Sequence, residues 1–377
     1  MADSYLIYFD SAASYPILTE VTEALTDSFN QLYGNSTAIH MAGVEASEAV
    51  NKVRGQFADL IGALSSEVIF TSGATESNNI AFKSILLGNP EFTEKRHIIT
   101  STIEHKCILV ICSYLETIGF EITYVKPNTD GLITKNDVEQ FIRPDTALVS
   151  IMHVNNELGT INPIGEIGAL CFAKGILFHV DAAQSFLKLA IDVDEMNIDL
   201  LSVSAHKVGG PKGIGAVYIR DLRKRTLLPV IHGAGQEEGL RGGTVAAPLV
   251  KAFGVAIQTF PEYYEIVKTT NLKQYLSIEL NSANVNFFIN GDPQSTLLSI
   301  CSVTLPHSDV GLLIRANESQ FCLAQGSACS SQEIEPSHVL TSLGLKNDLA
   351  EKTLRLSFSH FNSTGEVDLL VKRLTTL

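Results

Sequence analysis

Basic charge is scarce in this chain of 377 residues, where 27 Lys and Arg stand against 41 Asp and Glu for a formal net charge of −14. The summed field repels phosphate backbones and anionic lipid surfaces. With no basic run longer than Arg223-Lys224-Arg225, nucleic-acid binding is set aside as the main activity. Long apolar runs are also missing. Ile108 to Cys112 and Leu297 to Leu305 fall far short of the roughly 20 residues that cross a bilayer, so no membrane partner is expected. The start, Met-Ala-Asp-Ser-Tyr-Leu-Ile-Tyr-Phe-Asp, has an acid at Asp3, no early Lys or Arg, and an apolar stretch too short for a signal-peptide core. A soluble, cytoplasmic protein is expected. Six cysteines, at 107, 112, 171, 301, 322 and 329, show no C-x-x-C pair; that excludes a disulfide scaffold and predicts free thiols. Repeats and low-complexity tracts are absent, with Gly and Pro scattered as punctuation.

What is present is a core. Apolar residues make up 45% and charged residues 18%, the latter below the roughly 25% of an ordinary soluble domain, which excludes intrinsic disorder. At roughly 100 to 200 residues per domain the chain holds two or three units. Val50, Val53, Phe57, Leu60 and Ile61 share a helical face. Short apolar strands are predicted at 67–71, 96–100, 120–125, 147–152, 176–180 and 200–204, with helical patterns between most of them. That alternation predicts an α/β fold with a mostly parallel sheet flanked by helices. Beyond Thr244 comes a long helical stretch over 248–280, with a break expected near Pro261. The last hundred residues mix a strand at 296–305 with a helix at 366–374, which suits a smaller α+β unit.

Three stretches carry chemistry. Phe70-Thr71-Ser72-Gly73-Ala74-Thr75-Glu76-Ser77-Asn78-Asn79 runs from a strand through small residues into a helix start, where backbone N–H groups and the positive helix end can hold a phosphate. Taken alone it reads first as an ordinary turn capped by Ser72 or Thr75. His179-Val180-Asp181-Ala182-Ala183-Gln184 sets an acid where an apolar strand runs out, the place where open parallel sheets bind ligands. A capping Asp is the plain alternative. Ser202 to Gly213 sets Lys207 between an apolar strand and a glycine loop, which shields its amine on one side and frees it for condensation with an aldehyde. A snorkelling surface lysine is the default for any Lys; Ser204 and His206 beside it, and Asp181 one strand earlier, weigh against that default. A phosphate cradle, an acid for a pyridinium and a shielded lysine together describe a pyridoxal phosphate site.

From Tyr8 to about Leu374 the chain resembles the cysteine desulfurases of the class V aminotransferase-like, fold-type I pyridoxal phosphate enzymes. Matching stretches are Tyr8-Phe9-Asp10-Ser11-Ala12-Ala13, Gly34-Asn35 with His40, Thr71 to Ser77, Glu104-His105-Lys106, Asn155-Asn156-Glu157, Asp181 with Gln184, Ser204 to Lys207, Arg241-Gly242-Gly243-Thr244, and Gly326-Ser327-Ala328-Cys329. The resemblance implies a large cofactor-binding domain over 15–261. A small domain of 1–14 with 262–377 would carry the catalytic cysteine loop and the substrate arginine. It implies pyridoxal 5'-phosphate held covalently by Lys207, with Asp181 on the pyridinium, Gln184 on the phenolic oxygen, and Ala74, Thr75, Ser204 and His206 on the phosphate. Thr244 would reach the phosphate of a neighbouring subunit, which implies a homodimer. His105 would stack on the ring and move protons, Asn156 would lie near ring and substrate, and Arg355 would grip the substrate carboxylate.

Cys329, among small residues and without a large apolar neighbour, is expected on an exposed loop, whereas Cys107, Cys112, Cys171, Cys301 and Cys322 read as buried small hydrophobes. The resemblance makes Cys329 the thiolate that takes sulfur from L-cysteine, leaving L-alanine and a persulfide. Its loop type implies delivery to a sulfur-acceptor protein, for iron–sulfur cluster assembly or thiolation. No metal is assigned. Ser11, Ser14 and Tyr15 depart from the family's Asn and two threonines, Ser36 from a Pro, and Ser359-His360 from a Gly-Arg pair. The chain stops at Leu377, about where the family's core domain ends, so another acceptor or a different docking of the scaffold is expected. The rival readings are a selenocysteine lyase, an aminotransferase needing no loop cysteine, and a non-catalytic dimeric scaffold.

Overall fold

The structure, a computed structural model, describes residues 6–325 and 336–375. Its centre is a seven-stranded sheet in the spatial order Val68–Thr71, Gly215–Ile219, Leu200–Ser204, Leu177–Asp181, Thr146–Ser150, His97–Ser101 and Glu121–Val125. The last five of these are mutually parallel, while Gly215–Ile219 runs antiparallel to both its neighbours. Strands covered on both faces must be apolar along their length rather than alternating. Val68–Thr71, Thr146–Ser150, Leu200–Ser204 and Gly215–Ile219 are accordingly buried at every residue. The six strands predicted between residues 67 and 204 are present with ends shifted by at most two residues, and the strand expected at 296–305 is the shorter Ile300–Thr304. Gly215–Ile219 was not foreseen, because it follows the glycine loop at 209–213 and reads as that loop's continuation.

Helices Thr19–Gln31, Met41–Ile61 and Ala247–Thr270 join one apolar cluster, in which Phe57 stacks on Phe186 at 5.1 Å between centroids. A second cluster lies under the helical run from Ala74 through Ser84 and the helix Lys106–Thr117, built on Phe82, Ile108, Ile111 and Leu115. A third surrounds the antiparallel sheet Thr353–Ser357, Ile300–Thr304, Phe288–Asn290 with helices Leu272–Ser282 and Thr364–Leu374, and it also takes in Ile7 and Phe9. We propose the division into 15–261 and 1–14 with 262–377, with the first cluster reaching across it to Leu297, Ile300, Val339, Leu340 and Ala350. Helix Ala247–Thr270 runs through residue 261, however, and the break expected at Pro261 falls instead at Asn271, in the left-handed conformation with φ 43°. Proline removes one hydrogen bond, but Phe253, Ile257, Phe260, Tyr264 and Val267 bury one continuous face on both sides of it, and packing carries the helix across. Among the described residues no helix is long and apolar enough to cross a membrane.

The sheet register sets the site. Thr71 and Ser204 both pair with Gly215, and Asp181 pairs with Ser202, so three strand ends reach the same edge. A Cβ on Gly215 would lie 2.5 Å from the Val203 carbonyl oxygen and 2.7 Å from Gly73 Cα. The bare glycine lets these ends converge. Gly215→Ala is therefore expected to cost about 1–3 kcal/mol through overpacking, read as a lower urea midpoint at unchanged slope.

Candidate active site

Beyond the converging strand ends opens a cavity of about 510 Å³. Ala74, Thr75, His105, Asn156, Asp181, Gln184, Ser204, His206, Lys207 and Arg355 all line it. Gly73 precedes the helix at φ 150°, ψ −179°, a conformation open essentially to glycine alone. A Cβ there would meet Ser204 Oγ at 3.3 Å, so a side chain would fill the cradle between that hydroxyl and the helix start. The first N–H groups of a helix have no partner within it, and those of Ala74 and Thr75 begin this one.

Asp181 ends its strand and is 5% exposed. Asn78 Nδ2 donates to its Oδ2 at 2.9 Å and the Ala183 N–H to its Oδ1 at 2.9 Å. Lys207 closes the short turn Ala205–Lys207 after the strand Leu200–Ser204. Its Nζ donates to the carbonyls of Ala12 at 2.7 Å and Ala13 at 2.8 Å. Gln184 Nε2 donates to the same Ala12 oxygen at 2.8 Å, and Gln184 Oε1 accepts from Lys188 Nζ at 3.2 Å. The Ala12 and Ala13 carbonyls, Asn78 and Lys188 went unremarked in the sequence. A backbone acceptor has no residue signature, and Lys188 reads as any lysine.

His105 caps the helix Lys106–Thr117, its Nδ1 accepting from the Cys107 N–H at 3.2 Å; the neutral ring then carries its proton on Nε2. Burial lowers its pKa, with the Asp181 charge working the other way and the Lys207 charge lowering it further. Cys107 corrects an expectation: it is half-buried and lines the cavity, with Sγ 3.0 Å from His105 Nδ1. Burial, helped by the Asp181 charge, pushes its thiol up to about 12, so it stays protonated. Cys112, Cys171 and Cys301 are buried as expected, and Cys322 is half-buried in the short strand Phe321–Cys322. Burial, then the charges of Lys207, Lys212 and Lys188, push His206 down to about 4. Behind the cavity, Glu104 is fully buried and accepts from Ser101 Oγ at 2.6 Å and the Met152 N–H at 3.0 Å through Oε1 alone. Among the described residues its Oε2 has no partner, and burial raises its pKa to about 8.

Arg355 rises from the strand Thr353–Ser357, 3% exposed, with Nη2 donating to Asp10 Oδ1 at 2.6 Å and Nη1 to the Asn156 carbonyl at 3.4 Å. The departures at 14–15 and 359–360 meet in space. Tyr15 OH lies 2.8 Å from His360 Nδ1 and accepts from the His360 N–H at 3.1 Å, with the rings stacked at 5.8 Å. Ser14 Oγ lies 3.3 Å from His206 Nδ1. Ser11 Oγ donates to the Phe358 carbonyl at 2.9 Å. Thr244 is exposed and does not line this cavity. Three residues earlier, Arg241 pairs with Glu76 at 3.0 Å, and Glu76 accepts from the Ser72 N–H at 2.9 Å, which ties the Arg241–Thr244 motif to the helix start. Cys329 lies outside the described residues.

Residues 7–370 match the model of the family described as aminotransferase class-V. The chain is 42% identical over 369 residues to the mitochondrial cysteine desulfurase of Arthroderma benhamiae, covering 97% of this chain and 73% of that protein. It is 41% identical over 376 residues to cysteine desulfurase IscS of Proteus mirabilis, covering 98% and 91%. A solved structure described as SspA in complex with cysteine superposes with a TM-score of 0.84 at 44% identity, covering 95% of this chain and 100% of that one.

The buried carboxyl of Glu104 generates a pH prediction. Below about 4.5 it is protonated folded or unfolded; between there and about 8 only the unfolded chain releases the proton, so stability falls as pH rises through this window and levels off above it. Glu104→Gln mimics the protonated group. The stability of the variant relative to wild type is expected to grow by roughly a few kcal/mol between urea titrations at pH 5 and at pH 8.

Proposed function

The chain belongs to the cysteine desulfurases of the class-V aminotransferase family, and on that premise we propose which of its residues hold the cofactor, grip the substrate and pass on the sulfur. The enzyme depends on pyridoxal phosphate, as its family does. The observation that carries the assignment is the meeting of Lys207, Asp181, His105 and Arg355, from four separate elements, on one cavity of about 510 Å³. The donor set fits the cofactor. A fixed buried carboxylate suits a ring nitrogen that carries a proton, and the side-chain-free cradle between Gly73 and Ser204 Oγ suits a phosphate.

In this assignment the N–H groups of Ala74 and Thr75, Ser204 Oγ and His206 hold the phosphate, Asp181 the ring nitrogen, Gln184 Nε2 the phenolic oxygen, and Lys207 Nζ the aldehyde carbon. Asn156 flanks ring and substrate. Bound there, the cofactor supplies an electron sink for the pair left when the substrate's Cα–H bond breaks. Arg355, steadied by Asp10, turns its remaining N–H groups to the carboxylate of L-cysteine. Lys207 Nζ takes the α-proton, and His105 gives or takes a proton at Nε2. The Cys329 thiolate forms a bond to the substrate sulfur as that sulfur's bond to carbon breaks. The carbon that held the sulfur keeps the electron pair and gains a proton, the α-carbon regains a proton from Lys207, and the product leaves as L-alanine. The persulfide on Cys329 passes to an acceptor protein, in iron–sulfur cluster assembly or thiolation.

A homodimer belongs to the same reading, since Thr244 is exposed and away from its own cavity while Arg241 braces that motif on Glu76; Thr244 then completes the phosphate site of a second copy. A cytoplasmic location is kept as part of the proposal beside a relative named mitochondrial, and fractionation of the source cells checks it. The assignment is tested on the full chain with pyridoxal phosphate and L-cysteine. Wild type is expected to absorb in the visible and release alanine. Lys207→Ala should stay colourless, and Cys329→Ser should keep the colour but lose alanine formation by about a thousandfold or more. Alanine release that survives the loss of either residue would overturn the assignment.

A further inference from the structure

Lys188 is a buried amine that neither the fold nor the reaction described above uses. The residue is 8% exposed, and among the described residues its Nζ makes one hydrogen bond, to Gln184 Oε1 at 3.2 Å. Among the described residues no carboxylate lies within ion-pair distance of it. The small enclosed space around it is bounded by Ser11, Tyr15, Gln184, Tyr264, Ser299 and Phe358. The titratable groups facing it there are two phenols, Tyr15 bonded to His360 and Tyr264 facing Ser299 Oγ at 3.4 Å. Lys207 and His206 also feel its charge. Burying an amine without a counter-charge is costly, and an apolar side chain of the same length would fill the space without that cost. Packing therefore does not account for the amine. Its one directed contact does.

We propose that Lys188 is a positioning residue that locks the side-chain amide of Gln184, so that Gln184 presents a hydrogen-bond donor to the cofactor cavity. An amide has one acceptor end and one donor end. With Lys188 Nζ donating to Oε1, the NH₂ is directed to the Ala12 carbonyl and the cavity. The flipped amide would set NH₂ against the amine and its carbonyl against the Ala12 oxygen, leaving both contacts repulsive. Lys207 Nζ donates to that same oxygen, so the orientation of Gln184 reaches the cofactor-binding lysine directly. Burial, helped by the Lys207 charge, holds the Lys188 ammonium down to about 7, and a neutral amine still donates. The inference rests on the cofactor assignment above.

The experiment compares wild type with Lys188→Met, and with Lys188→Leu should the first variant fold poorly. Without cofactor, the unfolded chain binds the Lys188 proton up to about 10.5 and the folded one only to about 7, so wild type should gain melting temperature relative to Lys188→Met as pH rises across that window. With pyridoxal phosphate bound, losing the oriented donor and the neighbouring positive charge both favour the protonated chromophore. The pH midpoint of its visible absorbance should rise by about one unit. In a Gln184→Ala background the same substitution should move the midpoint by less than half as much. An unchanged midpoint, or a full shift without Gln184, overturns the inference while leaving the cofactor assignment standing. A wild type that gains no visible absorbance overturns both.

Discussion

The carbonyl of Ala12 is the point through which the site is held together. It accepts from Lys207 Nζ and from Gln184 Nε2 at once, and the chain that carries it crosses from one core to another. Upstream, Ile7 and Phe9 are packed in the cluster around the three-stranded sheet, Asp10 pairs with Arg355 and the Ala12 N–H donates to Ser357 Oγ at 2.8 Å. Downstream, the Tyr15 N–H donates to the His206 carbonyl at 2.9 Å, and Tyr15 and Leu18 belong to the cluster of the large sheet. Six residues therefore fix the distance between Arg355 and Lys207. A shift of either core would break hydrogen bonds on both sides of this segment.

In and behind the cavity wall lie groups kept neutral by burial, of which His206 lines the cavity itself. His206, His153 and the fully enclosed His179 are all pushed down to about 4, and Glu104 is raised to about 8. His179 bridges Ser150 Oγ at 2.8 Å and Ser202 Oγ at 3.1 Å beneath Asp181. A low-dielectric surround strengthens the few charges that remain. Asp181 keeps its two donors, and Arg355 keeps its carboxylate partner. Neutral buried groups thus surround a small number of paired charges at Asp181 and Arg355.

Most of the strands were legible because strands buried on both faces read as short apolar runs, and the three chemical stretches were legible because each lies where such a run ends. The strand Gly215–Ile219 escaped notice because its glycine start continues a glycine loop. The end of the long helix was misplaced because proline is a local signal, whereas the buried face from Phe253 to Val267 is a tertiary one. Cys107 has the local surroundings of core filler, and the fold turns it toward His105. The departures at Tyr15 and His360 lie 345 residues apart in sequence and 2.8 Å apart in space. Two apparently unrelated substitutions are one packed pair.

The sequence by itself determined the class of fold and the acidic character, and it set Asp181 and Lys207 where apolar strands run out, all of them matters of residue type, local period or short spacing. The roles expected of His105, Arg355 and Cys329 came from the resemblance to the family. What only the tertiary structure decided is which backbone atoms and second residues hold those side chains in place: the Ala12 and Ala13 carbonyls on Lys207, Asn78 on Asp181, Asp10 on Arg355 and Lys188 on Gln184. Hydrogen bonds between distant segments leave no periodic trace in a sequence. Their partners are chosen by sheet register and by the packing of one core against another, where a shift of one residue would redirect every side chain on a strand.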